Sequence, residues 1–64
     1  MNIQTDKLIA EMVKKEMSIA DVAKASGLSR MCISKIINEK TQKCNIKTVS
    51  KIAAALNVDY TNLI

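Results

Sequence analysis

Histidine, proline, tryptophan and phenylalanine are absent from this sequence, and glycine and tyrosine occur once each. Each absence narrows what the chain can be. Without Trp or Phe, the apolar supply is Ile, Leu, Val, Met and Ala, which suits a compact helical bundle better than a sheet. With Gly27 alone and no proline, strong breakers are scarce, so helices joined by short turns are expected. Without histidine, zinc would have to rely on Cys32 and Cys44, too few ligands for a metal site. There is no Gly-rich phosphate loop and no pairing of a nucleophile with a base, which sets an enzyme and its cofactors aside. No apolar run approaches the roughly eighteen residues of a membrane span, and no signal peptide is recognisable. The two cysteines are therefore expected as reduced thiols in the cytoplasm. A disulfide between them is open but not required, and Cys32 reads as a small packing residue rather than a redox sensor.

What is present is a single small domain. A 64-residue chain buries only about 60% of the surface that its unfolded form exposes, so the core is adequate but small. No separate catalytic or effector-sensing domain and no small-molecule ligand are expected. The net charge of +4 is unevenly spread. Between Leu28 and Lys51 the positive residues are Arg30, Lys35, Lys40, Lys43, Lys47 and Lys51, and Glu39 is the only acid. The remainder is slightly acidic. Such asymmetry points to a polyanion, either nucleic acid or an anionic surface, against the plainer reading of a solvated lysine-rich face.

Periodicity and caps mark five short helices. The first runs from about Thr5 to Glu16, capped by Thr5 or Asp6, with Leu8, Ile9, Met12 and Val13 as an inward stripe. Ser18 caps the second (about 18–26), with Asp21 completing a capping box and Ile19, Val22 and Ala23 inward. Gly27 stops it by supplying positive φ. Ser29 caps the third (about 29–38), which carries Ile33, Ile36 and Ile37 inward. The polar stretch Asn38–Asn45 is expected to be the longest loop. Asn45 caps a fourth helix bearing Ile46, Val49, Ile52, Ala53 and Leu56, and Asp59 caps a last short turn with Tyr60 and Leu63.

The informative constellation is Ala23, Gly27, Leu28, Ile33 and Ile36. Two short helices crossing steeply need a small residue at their closest approach, a glycine in the turn four residues on, and apolar residues after it. That is a helix-turn-helix, whose second helix enters a major groove. On these residues the chain resembles the Cro/cI-type (XRE family) phage repressors and related bacterial regulators. The segments Asn45–Val49 and Ile52–Val58 are similar to that family's fourth helix and its exit. The resemblance implies an all-α, compact five-helix, lambda-repressor-like DNA-binding domain from a phage or mobile element. It also implies a buried Arg–Glu pair whose positions here are Met12 and Ile37. Removing both charges together is tolerable, whereas losing one would be costly. Ile19 stands where relatives often have Gln, Glu39 where they have Gly, and Cys44 where they have Pro.

With Ile33, Ile36 and Ile37 inward, the third helix turns Arg30, Ser34 and Asn38 outward, flanked by Met31 and Lys35, with Ser29 at its start. Arg30 suits bidentate contact with guanine, Lys35 a guanine or phosphate, and Met31 a thymine methyl. Ser18 and the loop residues Lys40, Thr41, Gln42 and Lys43 are expected on phosphates. Lys47 and Lys51 read as solvated charge. The expected function is sequence-specific double-stranded DNA binding by a transcriptional repressor. It is expected to act as a symmetric homodimer on a pseudo-palindrome, paired through Tyr60, Leu63 and Ile64. The competing reading is a helix-turn-helix antitoxin or interaction module whose main partner is another protein.

Overall fold

The computed structural model describes residues 1–39 and 41–64; Lys40, expected on a phosphate, lies outside the described residues, as do the side chains of Thr41 and Gln42. Four α-helices, α1 (Thr5–Lys14), α2 (Ile19–Ser26), α3 (Arg30–Ile37) and α4 (Ile46–Leu56), are followed by a 3₁₀ turn at Tyr60–Asn62. The expected fifth helix is thus a single tight turn. The chain is also not purely helical. A strand β1 (Asn2–Gln4) pairs antiparallel with β2 (Thr41–Lys43), in register Asn2 with Lys43, Ile3 with Gln42 and Gln4 with Thr41. The stretch read as the longest loop therefore contains a strand.

The ribbon forms because Ile3 is the one apolar residue that the first segment can bury, and it is fully buried in the core. The ladder continues beyond the strands: the Cys44 N–H donates to the Met1 carbonyl at 2.7 Å, and the Met1 amino group donates to the Cys44 carbonyl at 3.1 Å. The Gln4 N–H donates to the Leu63 carbonyl at 2.7 Å, which ties the start of the fold to its end. Two-stranded ribbons are marginal alone, and this one rests on the helical core beneath it.

That core comprises Ile3, Leu8, Met12, Val22, Ala23, Ile33, Ile36, Val49, Ile52, Ala53, Leu56 and Leu63. The 3₁₀ turn folds back on α4, which is why Leu63, expected in a dimer patch, is fully buried. Three other inward expectations are corrected. Ile9 and Val13 on α1 face solvent (Val13 is 70% exposed), because Glu11 occupies the inner edge of the stripe beside Leu8 and Met12. There Glu11 pairs with Lys14 at 3.7 Å and Lys15 at 3.6 Å, satisfying a nearly buried carboxylate. Ile46 is 71% exposed, since it stands in the first turn of α4 ahead of the buried row beginning at Val49. Ile37 is half-buried, packed against the edge of the core.

Helix ends follow local chemistry. Ser18, Ser29, Asn45 and Asp59 all cap as expected, each accepting a backbone N–H through its side chain. The cap of α1 differs: Gln4 holds the position and makes no side-chain cap bond. Thr5 is instead a buried tether. Its hydroxyl reaches the carbonyls of Ile36, at 2.8 Å, and of Glu39. These carbonyls lie at and just beyond the end of α3, and the Ile36 carbonyl otherwise accepts the Glu39 N–H only at a long 3.4 Å. Thus a hydroxyl joins the start of α1 to the end of α3.

This tether generates a stability prediction. Thr5→Val should cost about 1–3 kcal/mol, because it removes the hydroxyl donor at the end of α3 and leaves the Ile36 carbonyl with one long bond. For a domain of this size each kcal/mol lowers the melting midpoint by roughly 4–8 °C. Thr5→Ser, which keeps the hydroxyl, should recover most of the loss in a thermal melt. Equal melting of Thr5→Val and the parent chain would remove the tether from the account.

Candidate nucleic-acid interface

The pair α2 and α3, joined through Gly27, Leu28 and Ser29, makes a helix-turn-helix. Gly27 has φ +77°, and a Cβ built there would meet nothing within 4 Å. The glycine is therefore needed for its backbone conformation and not for space. Its N–H donates to the Ala23 carbonyl at 3.0 Å, closing α2 in a left-handed cap. Ser26 braces the same turn, a role that sequence reasoning missed. Its buried hydroxyl lies 3.3 Å from the Ala23 carbonyl, to which it donates, and accepts the Leu28 N–H at 3.2 Å. The serine following the buried Ala23 by three positions was the available cue.

Ile33 and Ile36 are buried to 0% and 2% exposure and set the rotation of α3. The opposite face then carries Arg30, Met31, Lys35 and Asn38, all exposed, with Ser34 half-buried between them. Met31, at 80% exposure, projects fully into solvent. Arg30 and Lys35 make no ion pair or hydrogen bond among the described residues, so both keep their donors and charge for a ligand. Asn38 is 3.5 Å from the Ser34 hydroxyl through its amide nitrogen, a long contact that leaves most of its capacity open.

The two helix starts differ electrostatically. At α3 the Ser29 hydroxyl accepts the Cys32 N–H at 3.1 Å, and no acidic residue stands in the first turn. Its remaining N–H groups and Arg30 make a positive edge. At α2 the capping box is closed: the Ser18 N–H donates to Asp21 at 2.9 Å, and the Asp21 N–H donates to Ser18 at 3.2 Å. The Ser18 amide and then its hydroxyl hold the Asp21 carboxyl below its ordinary value, with Lys24 adding a smaller effect. A phosphate approaching Ser18 would compete with that carboxylate.

The structure brings the β2 end of the ribbon beside α3. Lys43 is exposed there, and a shallow depression of about 270 Å³ is lined by Cys32 and Lys35 from α3, Lys43 and Cys44 from the ribbon end, and Asn45 and Thr48 from α4. The backbones of Thr41 and Gln42 pair with β1. Lys47 and Lys51 are exposed on α4. Of the expected pairing residues, Tyr60 and Ile64 are exposed and Leu63 is not. No helix among the described residues is long and apolar enough to cross a membrane, and none of their His, Cys, Asp and Glu side chains gather in a metal-binding group of three or more.

The Asp21 geometry makes stability pH-dependent. A carboxyl held below its ordinary value favours the folded state above its unfolded pKa, and this contribution is lost as pH falls through the folded pKa. On acidification from about pH 5 to about pH 2.5, the parent chain should lose more melting temperature than Asp21→Asn does. Parallel acid profiles would contradict a charged capping box.

A family model described as the Cro/C1-type HTH DNA-binding domain matches residues 7–64. No curated protein matches the chain.

Proposed function

The chain belongs to the Cro/C1-type helix-turn-helix DNA-binding domain family, and from that premise we propose that it is a sequence-specific transcriptional repressor that binds a pseudo-palindromic operator as a homodimer. The observation that carries this reading is the outward face of α3. An eight-residue helix, rotated by two buried isoleucines, offers an arginine and a lysine that are unpaired among the described residues, and a solvent-projecting methionine, along one edge. That edge is narrow enough to enter a major groove.

In this reading Arg30 pairs in a fork with guanine, Lys35 takes a guanine or a phosphate, and Met31 packs on a thymine methyl. Ser34 and Asn38 offer hydroxyl and amide groups to base edges or the adjoining backbone. Ser29 donates to a phosphate at the positive start of α3. Lys43 takes a phosphate beside it, Lys40, Thr41 and Gln42 are proposed as further phosphate contacts, and Ser18 contacts a phosphate at the edge of the site. The polar groups of Ser18 are shared with Asp21, so Ser29 makes the stronger phosphate contact of the two.

Pairing is proposed through Tyr60 and Ile64, without Leu63. Tyr60 lies on the rim of an apolar depression of about 550 Å³ that Met1, Ile46, Ala54 and Val58 also line. Two copies related by a two-fold axis would shield this surface and place two α3 helices about one turn of duplex apart, ~34 Å. A dimer so placed over a promoter excludes polymerase, which is the basis for repression.

Selection of bound duplexes from a random pool tests this directly. The expected product is an inverted repeat with half-site centres about 10–10.5 base pairs apart. Arg30→Ala should relax one symmetric guanine position by ~1–3 kcal/mol per half-site while the other positions keep their preference. Lys43→Ala should weaken all sequences about equally and reduce the log–log salt slope by roughly 0.9 per half-site. An enriched pool with no symmetry would overturn the dimer. No enrichment, with co-purification of an unrelated protein in fixed ratio, would favour the antitoxin-like reading.

A further inference from the structure

Cys32 and Cys44 lie twelve positions apart in sequence, one on α3 and one at the ribbon end, yet both line the same 270 Å³ depression. Both thiols are free, both are half-buried, and both pack against the core from the same side. Their backbones are pinned. The Cys32 N–H is held by the Ser29 hydroxyl at 3.1 Å. Cys44 is held at both its N–H and its carbonyl by Met1. Cys44 thus stands in the short connection from β2 to α4, tied to the first residue of the chain by two backbone hydrogen bonds. Burial first, and then the neighbouring Cys32 thiol, push the Cys44 thiol above its ordinary value. A thiol so raised is a slow first nucleophile at neutral pH.

We propose that Cys32 and Cys44 form a modification site, an intramolecular dithiol that a hydroperoxide converts to a disulfide. With hydrogen peroxide, the Cys32 sulfur loses its proton and attacks one oxygen, the O–O bond breaks, and the leaving oxygen takes up a proton, giving a sulfenic acid and one water. Cys44 then attacks that sulfur, the S–O bond breaks, and a second water leaves. Two electrons pass from the pair of sulfurs to one peroxide, and reduction by an external dithiol reverses the step. Lys35 and Lys43 line the same depression.

The crosslink joins α3 to the segment leading into α4. Where the DNA reading above holds, it ties the groove-facing helix to the phosphate-facing ribbon and changes DNA affinity; this consequence rests on that reading, whereas the disulfide itself does not.

The test is treatment of the folded chain with stoichiometric hydrogen peroxide, followed by intact-mass measurement and peptide mapping. The expected product is a monomer that has lost two hydrogens, with Cys32 and Cys44 in one crosslinked peptide pair, restored by dithiothreitol. Cys32→Ser and Cys44→Ser, each checked for folding by circular dichroism, should lose the internal crosslink. Separate over-oxidation of the two sulfurs, or crosslinks only between chains, would overturn the proposal. Duplex affinity of the oxidised chain should differ at least threefold from that of the reduced chain, and Cys44→Ser should show no peroxide response. A crosslink that forms with affinity unchanged overturns the coupling and leaves the site standing.

Discussion

The complete burial of Ile33 and Ile36 is the constraint on which the rest of the molecule depends. Two β-branched side chains three positions apart define one side of a helix, and an eight-residue helix has little else to define its rotation. Once these are seated, the positions of Arg30, Met31, Ser34, Lys35 and Asn38 follow from helical geometry alone. A rotation by one residue would place Cys32 and Lys35 against the core and turn an isoleucine to water. Burial of each isoleucine stabilises this choice by ~1.5–3 kcal/mol, a large share of the stability of so small a domain. The chemistry of the outward face is thus decided by what lies inward.

Around that helix the fold uses polar groups sparingly. Thr5 donates at the end of α3, and Ser29 accepts an N–H at its start, so both ends are tied by hydroxyls. Met12 is buried in the core and Ile37 packs against its edge. The Glu11 carboxylate is the nearly buried charge of α1, and two lysines cover it from the solvent side. Among the described residues Arg30 and Lys35 make no ion pair, and their field is directed outward.

Much of this was legible in the sequence because the signals were short-range. Ser18, Ser29, Asn45 and Asp59 announce helix starts through a single side chain each, and Gly27 announces a left-handed cap. Other features depend on partners distant along the chain. The ribbon consists of two three-residue strands, and Thr41–Lys43 shows no apolar alternation, so the pairing has no local signature. Glu16 (φ 54°) and Asn57 (φ 57°) also end helices in the left-handed region, where relays from Met17 to Met12 and from Val58 to Ala53 close the turn. Of these only Asn57 carries even a weak compositional cue. Leu63 looked like a free apolar terminus because its partners, from Ile3 to Leu56, come from the whole length of the chain. Ile9, Val13 and Ile46 were misplaced for the converse reason: an apolar period is wider than the stripe that a small core can cover.

The central claim is that the α3 edge, continued by the ribbon end, is the surface that meets DNA. The most direct measurement is a backbone amide NMR titration of the chain with a selected duplex. The largest shift changes should fall on Ser29–Asn38 and on residues 41–45, with the exposed α1 positions Ile9 and Val13 unmoved. Changes centred on α1, with α3 silent, would contradict it.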